Sequence, residues 1–203
     1  MQHSPSIGHV AEPETTTGLD HRKLLIWTFL GSECLFFGSL IATYLVYQGQ
    51  SVVGPFPKDI LEIPVTSVST FVLLASSLMM VLAVTAIERG DMRAFRIWIL
   101  ACAIMGSTFL GFQVYEFNAF VHEGLTPRTN LFGSTFFTLT GFHGAHVTVG
   151  VIWLVSLFAG SLRGRVNPQN SLMVDIAALY WHFVDVVWIV IFTVIYLLGV
   201  SLG

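Results

Sequence analysis

Four stretches of the chain set titratable side chains inside long apolar runs. Tyr180-Trp-His-Phe-Val-Asp-Val-Val-Trp188 carries His182 and Asp185 three residues apart, and Gly141-Phe-His-Gly-Ala-His-Val147 carries His143 and His146 at the same spacing. Residues three apart share a helix face. Glu33 lies in Gly31-Ser-Glu-Cys-Leu-Phe-Phe-Gly38, and Gln113-Val-Tyr-Glu116 presents Gln113 and Glu116 on one face. Imidazole exchanges protons near neutral pH, so histidines beside carboxylates could form a proton relay. Imidazole and carboxylate could equally hold zinc or iron. The third reading is a network that only fixes helix register. A charged group near mid-bilayer costs at least about 2.5 kcal/mol, so each of these groups needs a partner in protein, headgroups or trapped water.

The surrounding chain is built to supply such partners. Of its 203 residues, 54% are hydrophobic and 10% charged, with a mean hydropathy of +0.76. Soluble domains carry about 25% charged residues, so the composition reads as an all-α, polytopic membrane protein. Apolar runs at about 24–47, 65–87, 94–117, 132–159 and 174–198 predict a bundle of five transmembrane helices, since about 20 residues span the hydrocarbon. Residues 1–23 read as a polar N-terminal tail and 24–203 as the five-helix domain. The tail lacks the features of a signal peptide, and His3, His9 and His21 are expected to be solvated. The second helix has no ionisable residue before Glu88, so packing is its expected role. The connector 48–64, rich in proline, reads as a turn-forming loop alone. Cys34 and Cys102 read as buried small hydrophobes. A formal charge of −3 without a basic patch points away from nucleic acid.

Basic residues orient the bundle. Arg22, Lys23, Arg89, Arg93, Arg96, Arg163 and Arg165 fall on one side, and only Lys58 and Arg128 on the other. The positive-inside rule then puts the N-terminus in the cytoplasm and the C-terminus outside. Arg22, Lys23, Arg163 and Arg165 are candidates for lipid headgroups. Counted along the helices, Glu33 lies roughly 14 Å from the cytoplasmic end, Asp185 roughly 16 Å, and His143 and His146 roughly 16–21 Å from the outer end. In a core about 30 Å thick, Glu33, His146 and Asp185 therefore reach about one depth. Spacing predicts one buried polar layer, with His143 and His182 to either side. Gly141 and Ala145 form a small-xxx-small pair that would let another helix approach. Glu116, near the outer end, could also simply reach interfacial water. No further ligand set accompanies the histidines, and each has a carboxylate within reach, so no metal site is expected. The structural and relay readings both stay open.

These residues resemble a known family. Gly133-Ser-Thr-Phe-Phe137, the His143/His146 motif and the Tyr180–Trp188 motif look like subunit III of the haem-copper terminal oxidases. Glu33 with Phe36-Phe37 and Gln113-x-x-Glu116 match two further motifs, so the resemblance runs from about residue 24 to 199 in order and spacing. The family has a seven-helix form and a five-helix bacterial form lacking the first two helices, and this chain resembles the latter. The resemblance implies a non-catalytic accessory subunit of a proton-pumping cytochrome c oxidase, in which oxygen reduction belongs to the complex. Haem and copper would lie in partner subunits and none in this chain. Direct packing on subunit I, association with subunit II, structural phospholipids and support of proton uptake are implied as well. Glu33 would be the family's membrane-buried glutamate, and His143, His146, His182 and Asp185 its bundle polar positions. The implied location is a bacterial plasma membrane. Without two helices, the family's lipid cleft is not expected to be built as in the longer form. A quinol oxidase subunit and a stand-alone proton or ion transporter remain the alternative readings.

Overall fold

The computed structural model describes residues 20–51, 54–56, 61 and 63–199. Five helices carry the chain: α1 (His21–Tyr47), α2 (Ile63–Glu88), α3 (Met92–His122), α4 (Leu131–Leu162) and α5 (Leu172–Phe192). The last continues through a π-helical turn, Thr193–Leu198. All five are long and apolar enough to cross a membrane, as the apolar runs predict. The observed helices are longer than those runs at nearly every end. α1 begins at His21, so His21, Arg22 and Lys23, expected in the tail, form its first turn. Asp20 caps it, its side chain accepting from the Arg22 amide at 2.7 Å. His3, His9 and Lys58 lie outside the described residues.

Local chemistry stops and restarts the helices. α2 ends at Gly90, whose φ of +80° is a left-handed conformation that costs glycine little. The Asp91 amide bonds the Ala86 carbonyl and the Gly90 amide the Ile87 carbonyl, the two bonds of a Schellman ending. Asp91 then caps α3, accepting from Arg93 and Ala94 amides. The connector between α1 and α2 does more than turn. Ser51 Oγ accepts from the Phe132 amide, and Asn130, which caps α4, donates to the Pro55 carbonyl at 3.1 Å.

One end of the bundle gathers the basic residues. Lys23 and Asp175, at the starts of α1 and α5, pair at 3.5 Å, and Arg96 of α3 donates to the Ser161 carbonyl near the end of α4 at 2.7 Å. α2 packs on α3 and α5, α3 on α4, and α1 lies against α4 and α5. α1 is the most peripheral helix: 17% of its most apolar window is buried, against 28–44% for the others. Cys34, expected to be buried, is accordingly exposed on it, whereas Cys102 is buried.

Trp181 and Trp188 of α5 hold the centre. The Trp181 indole donates to Ser76 of α2 at 3.0 Å. Its ring fits between glycines of α3 and α4: a Cβ at Gly106 would lie 2.5 Å from it, and one at Gly150 2.7 Å. Trp188 donates to Thr70 of α2 at 2.9 Å and meets Phe109 of α3 edge-on at 4.7 Å. The Gly141/Ala145 pair, expected to admit a helix, has no neighbour of this chain there: nothing lies within 4 Å of a Cβ on Gly141, and Ala145 is exposed. Glycines at other registers of the same helix, Gly144 and Gly150, make the close approaches instead.

Gly106→Ala should therefore cost about 1–3 kcal/mol through overpacking against Trp181. Gly111→Ala on the same helix, where a Cβ meets nothing within 4 Å, should cost nothing and gain up to about 1 kcal/mol of helix propensity. Thermal denaturation midpoints in mild detergent report both.

Candidate functional site

The polar residues that spacing places in one layer fall into separate clusters on different helix pairs. The first joins α1 to α4. Glu33 Oε2 lies 3.2 Å from His146 Nε2, with side chains 17% and 19% exposed. His146 Nδ1 is 2.8 Å from the Phe142 carbonyl. A carbonyl only accepts, so Nδ1 carries a proton. Nε2 then faces a carboxylate oxygen. The approach is an ion-pair contact without hydrogen-bond alignment. Phe37 packs edge-on to the imidazole at 5.0 Å, and the Tyr180 hydroxyl donates to the His146 carbonyl at 2.9 Å.

This pair opens onto an apolar groove of about 460 Å³ lined by Ile26, Phe29, Val149 and Trp153. Ile26, Phe29 and Trp153 also line a second groove, of about 600 Å³, which runs to Arg22, Met173 and Ile176 at the arginine-rich end. Arg22, Arg163 and Arg165 are exposed. Lys23 is instead engaged by Asp175.

The second cluster joins α2 to α5. Ser77 Oγ donates to Asp185 Oδ2 and lies 2.8 Å from His182 Nδ1. Asp185 is 2% exposed, and its Oδ1 has no hydrogen-bond partner. No hydrogen bond links this cluster to Glu33–His146 among the described residues. His143 belongs to neither. It is fully buried, its Nε2 donates to the Val184 carbonyl at 3.2 Å, and its ring lies 4.8 Å from that of Trp188. His143 and His146 thus use neighbouring sides of α4, one toward α5 and one toward α1.

Gln113 and Glu116, at the other end, are both buried; Glu116 does not reach interfacial water. Gln113 donates to the Thr140 carbonyl of α4 at 2.7 Å, into space that only Gly144 leaves: a Cβ there would lie 2.6 Å from the Gln113 oxygen. Glu116 accepts from Thr66 of α2 and from the Tyr196 hydroxyl at 3.5 Å.

α2, read as a packing helix, supplies hydroxyls to Glu116, to both interior tryptophans and to the His182–Asp185 pair. Thr66, Thr70, Ser76 and Ser77 bind Glu116, Trp188, Trp181 and the His182–Asp185 pair. The signal was present: hydroxyls recur at helical spacing over 66–77, the period of a buried face. Among the described residues no group of three or more His, Cys, Asp or Glu side chains converges as metal ligands.

Apolar spanning helices with buried polar clusters define a multi-pass membrane protein whose interior handles protons or fixes its own packing. A family profile described as cytochrome c oxidase subunit III matches residues 13–200. Cytochrome c oxidase subunit 3 of Bacillus sp. strain PS3 is 39% identical over 93% of this chain and 92% of the relative. Quinol oxidase subunit 3 of Bacillus spizizenii is 40% identical, covering 86% of each. Cytochrome bo(3) ubiquinol oxidase subunit 3 of Pseudomonas aeruginosa is 38% identical over 85% of this chain and 83% of the relative. The chain belongs to the cytochrome c oxidase subunit III family. It is an accessory subunit of a haem-copper terminal oxidase, an oxidoreductase complex that it forms with other subunits. That membership sets aside a stand-alone transporter.

His146→Leu removes Glu33's partner and should destabilise by about 1–3 kcal/mol. Adding Glu33→Leu should recover part of the loss, because no carboxyl is then left unpaired. A double-mutant cycle on denaturation midpoints of the complex measures the coupling.

Proposed function

We propose that this subunit supports proton uptake by a cytochrome c oxidase and seats a phospholipid against the catalytic subunits, while carrying no redox centre itself. It packs directly on subunit I and associates with subunit II, which hold haem and copper. The arginine-rich end faces the cytoplasm of a bacterial plasma membrane, since basic residues are retained inside; the N-terminus is then cytoplasmic and the C-terminus outside. The relatives' names include both cytochrome c and quinol oxidases, and a quinol-oxidising complex is the second reading. An optical spectrum of the native assembly, with its haem types and subunit list, decides between them.

The observation that supports the proton role is the approach of Glu33 Oε2 to His146 Nε2, at 3.2 Å, inside the bundle. Imidazole and carboxyl are the side chains through which a proton most readily passes. The groove beside it fits an acyl chain along Phe29, Trp153 and Ile176, with the lipid phosphate at Arg22. The helices of the five-helix form are sufficient to line such a groove.

Glu33→Gln should leave assembly intact while slowing proton uptake or shortening turnover lifetime several-fold. Oxygen consumption, proton-to-electron ratio and turnovers before inactivation, measured in vesicles, check this; three unchanged values refute it. Arg22→Ala should weaken lipid retention by about 1 kcal/mol, the worth of one cationic contact. Native mass spectrometry of the complex during graded delipidation would count retained phospholipid.

A further inference from the structure

The Ser77–His182–Asp185 cluster has features that a register-fixing network does not need. His182 lines a groove of about 360 Å³ with Lys23, Trp27, Thr85 and Asp175, at the arginine-rich end. Its Nδ1 points away from that groove to Ser77. Its Nε2 makes no hydrogen bond among the described residues and is not an enclosed atom, so it is open to the groove. At the far end, Asp185 Oδ1 is enclosed and unpartnered. One end of the cluster thus borders a groove and the other is enclosed.

The hydrogen-bond directions order the protons. Ser77 spends its hydroxyl proton on Asp185 Oδ2. Its contact with His182 at 2.8 Å can then only be one that it accepts, so Nδ1 carries a proton and Nε2 has a free lone pair. The geometry points to a proton-binding site, separate from Glu33–His146, that takes one proton from the aqueous phase at the arginine-rich end and stores it on Asp185. His182 accepts the proton at Nε2 and passes its Nδ1 proton to Ser77 Oγ, while Ser77 passes its own to Asp185 Oδ2. One proton has moved from groove to carboxyl. His182 is again neutral, with its proton on Nε2, and Ser77 is again a hydroxyl, now donating to His182 and accepting from Asp185. Oδ1 offers no onward donor or acceptor, so the relay ends there as a store.

α1 and α5 present Lys23 and Asp175, which neutralise each other at the groove mouth. α3 places the Cys102 thiol within electrostatic reach of Asp185, α4 places His143 on the neighbouring Val184 carbonyl, and α2 brings only hydroxyls here. The site goes beyond the proposed role of Glu33, whose residues it does not touch.

The test is infrared difference spectroscopy of the intact, resting oxidase complex during pH steps. Expected is a carboxylic C=O stretching band that follows bulk pH, downshifts in D2O, disappears in Asp185→Asn and moves in frequency in Asp185→Glu, which keeps the acid. The same band should persist in Glu33→Gln, which separates this site from the turnover role of Glu33. Ser77→Ala and His182→Asn should keep the band but slow its response to a pH step several-fold. A band absent from the parent, or unaltered in both Asp185 variants, would overturn the site. Unchanged response rates in both Ser77→Ala and His182→Asn would overturn the relay.

Discussion

Hydrocarbon offers no water to satisfy a polar atom, so every such atom in a spanning helix must find its partner within protein or at a groove. In this bundle the burden falls on the contact between α2 and α5. α5 brings two indoles, an imidazole, a carboxyl and a phenol to the interior. α2 answers with Thr70, Ser76 and Ser77, and with Thr66 on the Glu116 that Tyr196 also reaches. Hydroxyls suit this task because each can donate and accept, can rotate to fit, and can turn back to its own helix carbonyls when unneeded. Ser76 does both, bonding the Leu73 carbonyl while accepting from Trp181. The large aromatics then need small neighbours, and Gly106 and Gly150 provide them.

The same constraint sorts the ionisable groups. Glu33–His146 and Ser77–His182–Asp185 each sit beside a groove toward the arginine-rich end, whereas Glu116 at the opposite end is enclosed. A polar pair beside a groove can be reached from outside the protein, and a carboxyl without such a groove holds helices together. The separation into clusters therefore distributes roles that a single layer would have merged. It also fits an accessory subunit, which has to influence its complex from the side without opening a path through its own body.

Much of the fold was legible before any coordinates. Five spans, their order and their short connections follow from apolar length, and the family follows from motifs such as the one around His182. The ends were misjudged where helix continues past the apolar stretch: His21 to Lys23 are polar yet helical, because Asp20 caps them. The single polar layer divides in azimuth: its members meet different helices. Rise per residue fixes how deep a side chain sits, but three residues still turn a helix by about 60° from perfect alignment, enough for His143 to meet α5 and His146 to meet α1. α2 was misread because only ionisable residues were counted as chemistry; serine and threonine carry no charge and so drew no notice. Spacing also cannot say which face of a helix turns inward within the chain: Gly144 and Gly150, and not Gly141, make the close approaches there.

The peripheral seat of α1 has a consequence for biogenesis. α1 leaves the ribosome before α4, and the histidine that meets Glu33 follows more than a hundred residues later. At about 5–20 residues per second, the nascent span must reside in the bilayer for roughly 5–20 s with its glutamate unanswered by α4. Assembly of the bundle closes only when α4 and α5 arrive to receive it.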